Sequence, residues 1–280
     1  MEKRLNIMVP MDFTPVSFKA LEFLAFLMDK TPVDTHLVHV IQVNEAEWAG
    51  TADSSENLDK SQIKQLEQQA TTGFEEIRKQ VNFEFSSAVV YGGLTSGLTR
   101  YAEKNGIDLI IMGTEGADGW FERISGSEAQ HVVRFTTVPV ITIQRDASIT
   151  PIKNMLWVAD FSAEKQPEKT VNTIKTLQQL FGAQLHLLQI IDKEDDLKLD
   201  SIIQQMQRFA NRLQLQNYEL HFRSDSKVPA GVRNFNQESD MDLVLIGTHG
   251  RKGFSHIFYG SIAETLVNHC IRPLLTYHLK

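Results

Sequence analysis

Two glycine-rich loops with the same spacing carry the residue types best suited to chemistry in this chain. Both have the form Gly-x₂-Gly-x₉-Gly-Ser, and the two copies are Gly113, Gly116, Gly126 and Ser127, and Gly247, Gly250, Gly260 and Ser261. Glycine lets the backbone approach a ligand closely and adopt positive φ. A helix that begins at the serine offers unpaired N–H groups and the positive end of its dipole to an anion. The loops therefore indicate phosphate binding.

An aspartate follows the first apolar run of each half of the chain. These residues are Asp12, in Asp-Phe-Thr, and Asp160, in Asp-Phe-Ser. In an open α/β sheet, ligands bind outside the carboxyl ends of the strands, where the strand order reverses. If the first and fourth strands are neighbours, a crevice there has a carboxylate acceptor on one wall and phosphate donors on the other. A nucleotide fits that arrangement, with its base or ribose toward the aspartate.

Ordinary turn chemistry can also explain each of these residues alone. Glycine after a strand and serine at a helix start are common in turns, and an aspartate can cap the helix that follows it. The sequence favours a nucleotide site because the whole constellation occurs twice, at the same place in each half.

The elements that must position these loops alternate between short apolar runs and amphipathic stretches. The apolar runs of the first half predict buried parallel strands at residues 7–11, 36–43, 88–91, 109–112 and 140–143. Apolar residues spaced by three or four positions predict helices that include residues 63–77, 171–181 (ended by Gly182) and 202–213. The polar stretch 44–60 is interpreted as a surface loop. The alternation predicts an α/β fold, an open sheet with helices on both faces, twice over.

Length and composition exclude several other classes of protein. A chain of 280 residues with 42% apolar and 22% charged residues predicts two globular domains. The net charge of −7 argues against a nucleic-acid partner. Neither a signal-peptide pattern nor a membrane-spanning apolar run is evident. The single cysteine, Cys270, cannot form an intrachain disulfide and is expected to be a packed thiol. Together these features predict a cytoplasmic protein with no membrane partner.

The histidines give weak support for a metal, and no metal site is predicted. His36 and His39 are three positions apart on a predicted strand, so their side chains should face opposite ways. The other histidines near the second loop are His249, His256 and His269, which only tertiary folding could bring together.

The pattern resembles the universal stress protein family in its tandem two-domain form. The resemblance lies in residues 10–14, 37–41 and 138–140 and in the two glycine loops, and it extends over nearly the whole chain. It implies a Rossmann-like domain at residues 1–146 and another at 151–280, each a five-stranded parallel sheet of order 3-2-1-4-5. It also implies ATP, with or without Mg²⁺, held by the loop glycines and serine, with the adenine near the aspartate and the second-strand residue, Val40 or Ile190. The last strands of the two halves would pair as an intrachain pseudo-dimer, and a homodimer is possible.

The two loops differ in charge. The second contains Arg251 and Lys252, and Ile262 after its serine fits the family pattern. The first contains Glu115, Asp118 and Glu122 against Arg123, and Glu128 follows its serine. A carboxylate about 6 Å from a phosphate charge costs on the order of 1–3 kcal/mol, unless the acid points to solvent and is screened. The sequence therefore predicts that the second half binds nucleotide better.

Three functions remain open at this point. The first is a nucleotide-binding stress-response protein that acts on an unknown protein partner, with little or no catalysis. The second is a slow ATPase or nucleotide-dependent enzyme, for which the hydroxyls in Phe13-Thr14-Pro15 and Phe161-Ser162-Ala163 offer no clear catalytic group. The third is a ligand-free scaffold. The sequence has no P-loop motif, Gly-x₄-Gly-Lys-Ser/Thr.

Overall fold

The computed structural model describes residues 4–43, 60–115, 128–161, 167–191, 199–225, 228–249 and 272–279. The elements of the first half are β1 (Asn6–Pro10), α1 (Pro15–Met28), β2 (Asp34–Gln42), α2 (Lys60–Gln80), β3 (Ser86–Gly92), α3 (Leu94–Lys104), β4 (Leu109–Thr114), α4 (Glu128–Phe135) and β5 (Val140–Gln144). Those of the second half are β6 (Asn154–Val158), α5 (Glu168–Phe181), β7 (Gln184–Ile191), α6 (Leu199–Arg212), β8 (Tyr218–Ser224), α7 (Val228–Ser239), β9 (Leu243–His249) and β10 (Leu274–Leu279).

The predicted strands and helices are present, with small differences at their ends. Gly182 ends α5 in the left-handed conformation, with φ of 61°, as expected of a C-terminal glycine. Lys60 was predicted to close the surface loop, but it is the first residue of α2. The helix therefore begins about one turn before the apolar stripe that predicted it, at a polar residue. The rest of the predicted loop lies outside the described residues.

The ten strands form one sheet, in the order β3-β2-β1-β4-β5-β10-β9-β6-β7-β8. Within each half every pairing is parallel and the order is 3-2-1-4-5, which confirms the predicted fold class. The halves join where β5 and β10 pair antiparallel, with Leu275 opposite Ile141. This is the pairing of last strands that the resemblance implied.

Helices cover both faces of the sheet, and the core on one face is continuous across the junction. That core combines apolar side chains of α1 and α2 with those of α5 and α6. Phe26 of α1 stacks on Phe181 of α5, with ring centroids 6.0 Å apart. On the other face, α3 and α4 cover the first half and α7 packs on the second. Because both faces are covered, the central strands are buried throughout and their sequences are apolar runs.

A buried hydrogen bond ties the first strand of the second half to the last. The indole Nε1–H of Trp157 donates to the Tyr277 hydroxyl at 2.7 Å, and both side chains are almost fully buried. We expect Tyr277→Phe to lower the free energy of unfolding by about 1–3 kcal/mol, since it removes the acceptor of a buried donor. Urea denaturation measures this change. Tyr218→Phe, at a partly buried position of β8, is the control, and equal stability of the two variants would contradict the prediction.

Candidate functional site

A crevice lies at the carboxyl edge of the first half, where the strand order reverses. β1 pairs with β2 on one side and with β4 on the other, so the chain leaves these strands in opposite directions. The ends of β1, β2 and β4 and the first turns of α1 and α3 line this crevice: Pro10, Met11, Asp12, Val16, Ser17, Val38, His39, Val40, Gln42, Leu94, Met112 and Gly113. Three predicted site residues, Asp12, Val40 and Gly113, are thus brought together.

The Asp12 carboxylate is exposed at the mouth of the crevice and is held by its own loop. Its Oδ1 accepts hydrogen bonds from the Thr14 backbone N–H, at 3.0 Å, and from the Thr14 hydroxyl, at 2.6 Å. Partial burial raises the pKa of Asp12, but the hydrogen bonds from Thr14 and Ser17 outweigh it and leave the pKa below its ordinary value. The group is therefore an anionic acceptor at neutral pH, oriented for a ligand hydroxyl or amine.

The same contacts show that Asp12 has a local role as well. Thr14 occupies the N-cap of α1. Its side chain makes no cap hydrogen bond to the helix, however, because the hydroxyl donates to Asp12 instead. The aspartate therefore shapes the turn between β1 and α1, in agreement with the turn interpretation of this residue, and it also faces the crevice.

His39 lines this crevice and Phe13 packs against it, although neither is a predicted nucleotide-site residue. Phe13 has φ of 61°, a strained conformation for a bulky residue. Its ring packs on His39 and on Phe74 of α2, with both centroid distances 5.3 Å. His39 in turn makes a 2.7 Å hydrogen bond between Nδ1 and the Met11 carbonyl oxygen. The available signal was the repeated Asp-Phe pair, since Phe161 is buried in the second half.

A helix glycine lies against the second-strand residue in both halves. A Cβ on Gly97 of α3 would stand 3.5 Å from Val40, and one on Gly231 of α7 would stand 2.7 Å from Ile190. The first turns of these helices therefore come close to Val40 and Ile190, which gives each residue an apolar surface beside the carboxyl edge. Such a surface suits a flat, weakly polar ring.

Gly113 has a packing reason for being glycine. A Cβ there would lie 2.0 Å from the backbone carbonyl oxygen of Val16, in the first turn of α1. On Gly247, a Cβ would lie 2.7 Å from a Leu279 methyl carbon. Close backbone packing thus accounts for the first loop's initial glycine, whatever it contributes to a ligand.

In the second half, Asp160, Ile190 and Gly247 occupy positions equivalent to Asp12, Val40 and Gly113. Asp160 is exposed just beyond the end of β6. β6 pairs with β7, which carries Ile190, and with β9, which carries Gly247. The topology therefore brings these three residues to the same edge of the sheet.

Several predicted residues lie outside the described residues, so the structure does not place them. They are Gly116, Gly126, Ser127, Gly250, Arg251, Gly260, Ser261 and Ile262 of the predicted site, with Asp118, Lys252, His256, His269 and Cys270. Glu115 is described, and its Oε2 lies 3.1 Å from the Arg145 guanidinium, with both side chains about half exposed. Arg145 thus offsets part of the negative charge that the first loop carries.

Comparison with known proteins identifies relatives of both halves. A sequence model of the universal stress protein family matches residues 3–144 and 151–278. The universal stress protein MJ0577 of Methanocaldococcus jannaschii is 26% identical to this chain, over 51% of the chain and 96% of that protein. The universal stress protein MJ0531 of the same organism is 24% identical, over 50% of the chain and 82% of its own length.

Solved structures share the whole architecture. A universal stress protein from Archaeoglobus fulgidus superposes with a TM-score of 0.74 over 98% of both chains, at 18% identity. A universal stress protein described as putative, from Pseudomonas aeruginosa, gives 0.59 over 98% of this chain and 93% of that one, at 14% identity. At these identities the likeness shows the fold. Among the described residues, no helix has the length and apolarity needed to cross a membrane.

Proposed function

The chain belongs to the universal stress protein family, and from this premise we propose that it binds an adenine nucleotide, ATP, as a regulatory or interaction module of the stress response. In this proposal residues 1–146 and 151–280 are two nucleotide-binding units with little or no catalysis. They act on a protein partner in the cytoplasm. The single cysteine favours that reducing setting.

The convergence of Asp12, Val40 and Gly113 at the reversal of strand order is the observation that carries this proposal. A ligand at such a point lies between the carboxyl ends of two strands and the amino ends of two helices. Carboxylate, apolar wall and glycine turn are three different kinds of contact, and a nucleotide presents a matching hydroxyl, base and phosphate chain.

The described residues fit the base and ribose end of ATP. Val40 and Leu94 supply apolar surface, and Asp12 supplies an anionic acceptor for a ribose hydroxyl or a base amine. The phosphate end would be held by backbone N–H groups of the glycine loops and by Ser127 or Ser261. If Mg²⁺ accompanies the nucleotide, it would offset phosphate charge there. The single role proposed for this chain's residues is to bind and orient.

The second half is proposed as the better site. Arg251 and Lys252 add positive charge beside its glycines, whereas Asp118 and Glu128 add negative charge beside those of the first half. The Glu115–Arg145 ion pair reduces this difference. Three further acids remain at the first loop, Asp118, Glu122 and Glu128, with Arg123 as the opposing charge.

We test the proposal on the full chain, purified without added nucleotide. Acid extraction with mass spectrometry should detect a co-purified adenine nucleotide, and calorimetry with ATP should give saturable binding to the emptied protein. If no nucleotide is extracted and ATP gives no heat of binding, the proposal is contradicted and the ligand-free scaffold remains as the function. A single-turnover assay distinguishes a binding protein from a nucleotide-dependent enzyme, since rapid stoichiometric release of ADP would support an enzyme.

Asp160→Asn is expected to weaken ATP binding about tenfold, because one charge-assisted hydrogen bond contributes about 1.5 kcal/mol or more. Calorimetry of Asp12→Asn, the same change at the equivalent position, is the matched control. We expect the Asp12 variant to bind as the wild type does, because the second half dominates. Unchanged affinity in both variants would argue against an aspartate contact with the ligand.

A further inference from the structure

Two histidines and a glutamate form a compact cluster near the outer edge of the second half. His186 lies on β7, and Glu219 and His221 lie on β8, the last strand of the sheet. The register places Glu219 beside His186 and His221 beside Leu188. Since side chains two apart on a strand share a face, Glu219 and His221 both stand on the face of His186. The cluster is on strands remote from the first-half crevice.

The three potential donor atoms are close enough to share one ion. His186 Nδ1 lies 2.9 Å from His221 Nε2. Glu219 Oε2 lies 3.7 Å from His186 Nδ1 and 3.5 Å from His221 Nε2. Ligands of a tetrahedral zinc ion at about 2.0–2.2 Å are themselves separated by about 3.3–3.5 Å. The Glu219–His221 distance already matches, the Glu219–His186 distance is about 0.2 Å too long, and the distance between the two imidazoles needs an opening of roughly 0.5 Å.

Neighbouring amides orient two of these donors. Asn154 Oδ1 lies 3.3 Å from His186 Nε2, so that nitrogen carries the proton and Nδ1 keeps its lone pair toward His221. The Gln184 amide donates to Glu219 Oε1 at 2.8 Å, which turns Oε2 toward the histidines. Hydrogen bonds of this kind, made by the atoms that do not bind the ion, are typical of protein metal sites.

Packing fixes the rings but leaves one side of the cluster open. The His221 ring packs against Phe235 of α7, with centroids 5.0 Å apart. The His186 side chain is 9% exposed and that of His221 is 27% exposed, while that of Glu219 is 53% exposed. Burial lowers the pKa of both imidazoles, and Glu219 opposes this only in part. Water can complete the coordination from the glutamate side.

We propose that His186, Glu219 and His221 bind a divalent zinc ion. Two imidazoles and one carboxylate are a donor set that suits Zn²⁺, with the remaining position taken by water. The ion would lie between His186 Nδ1, His221 Nε2 and Glu219 Oε2, in place of the proton that the two imidazoles share in the metal-free protein. The proposal is independent of nucleotide binding.

The first half provides an internal comparison for this site. His36 on β2 occupies the position in the first half that His186 occupies in the second. In the sheet, His36 lies between Met8 and Ser86. His186 lies in the same way between Leu156 and Glu219. The position corresponding to His221 is Ala88. The Nδ1 of His36 makes a 3.0 Å hydrogen bond with the Tyr101 hydroxyl. A histidine at this position can therefore be held by a hydrogen bond without a metal, as His36 is. Glu219 and His221 are the additional potential ligands found in the second half.

Zinc titration of the chelator-treated full chain tests the proposal. We expect saturable binding of one Zn²⁺ per chain in calorimetry, and Co²⁺ should give the visible absorption of a low-symmetry N/O site. Glu219→Gln and His221→Asn should each weaken Zn²⁺ binding by about tenfold or more, and Gln184→Leu by about tenfold. His36→Asn, the matched change in the first half, should bind as the wild type does. Circular dichroism confirms that each variant is folded.

The outcomes separate the site from adventitious binding elsewhere. Absence of binding to the wild type overturns the proposal, as does wild-type affinity in Glu219→Gln, whose side chain keeps the shape of the glutamate. If His221→Asn fails to fold, Glu219→Gln and the Co²⁺ spectrum still decide. A loss of binding in His36→Asn equal to that in His221→Asn would also overturn it.

Discussion

Gly113→Ala is expected to cost the protein about 3 kcal/mol or more of its free energy of unfolding. The added Cβ would lie 2.0 Å from the Val16 carbonyl oxygen and 2.6 Å from the carbonyl carbon. Both atoms are backbone, so no side chain can rotate away, and relief requires α1 to move from β4. Forcing extra atoms into a packed interior costs about 1–3 kcal/mol and occasionally more, and a rigid neighbour places this variant at the upper end. Urea denaturation measures the loss.

Gly97→Ala is the matched control, because it adds the same methyl group at a second glycine, which is buried in α3. There the new Cβ meets Val40 and Val90 side chains at 3.5 Å, which is ordinary van der Waals contact. Gly97 lies within α3, where alanine is favoured over glycine by about 0.5–1 kcal/mol. We expect this variant to be as stable as the wild type or slightly more so. If Gly113→Ala were equally stable, α1 would not pack on β4 as closely as the structure shows.

The Gly113 contact also shows what the loop spacing could not decide. A glycine is required wherever another group occupies the place of a Cβ, whether that group is a phosphate or a helix backbone. The repeated spacing predicted that Gly113 lies at the carboxyl edge of the sheet, which is where the structure has it. It could not identify Val16 as the neighbour, because that contact depends on where α1 crosses β4.

The sequence predicted the strands of the fold better than it predicted which side chains lie close together. β1 and β4 are buried on both faces, so their apolar runs predicted them directly. The cluster of His186, Glu219 and His221 depends instead on the register of β7 and β8, and a slip of one residue would turn each side chain to the other face. No local pattern specifies that register. The alternation of polar residues along β8 was the available signal.

The sequence also did not predict the ion pair that Glu115 makes at the first loop. Glu115 was predicted to disfavour phosphate in the first half, with screening by solvent as the alternative. Its ion pair with Arg145 places an opposite charge 3.1 Å away across the half-exposed surface. Exposed pairs contribute little to stability, but the paired carboxylate repels a nearby anion less than an isolated one. The proposed difference between the halves therefore depends mainly on the remaining charges. These are Asp118, Glu122 and Glu128, opposed by Arg123, in the first half, and Arg251 and Lys252 in the second.

Gly260→Val is expected to lower the affinity for ATP by about 100-fold. In the proposed site, Gly260 and Ser261 present backbone N–H groups to the phosphates at the start of a helix. A branched side chain at Gly260 would keep the phosphates away from those donors and resist the turn that a glycine permits. Hydrogen bonds to charged groups contribute about 1.5–3 kcal/mol each, so losing one or two of them gives a loss of this size. Calorimetry with ATP measures it.

Gly126→Val makes the same change in the first loop and is the internal control. We expect it to leave the affinity close to that of the wild type, because the first half contributes the weaker site. Equal losses in the two variants would contradict the difference between the halves while retaining nucleotide binding. If both variants bound ATP with the affinity of the wild type, the phosphates would not contact either glycine loop. Thermal unfolding without ATP distinguishes lost contacts from lost structure, since only a binding defect leaves the midpoint unchanged.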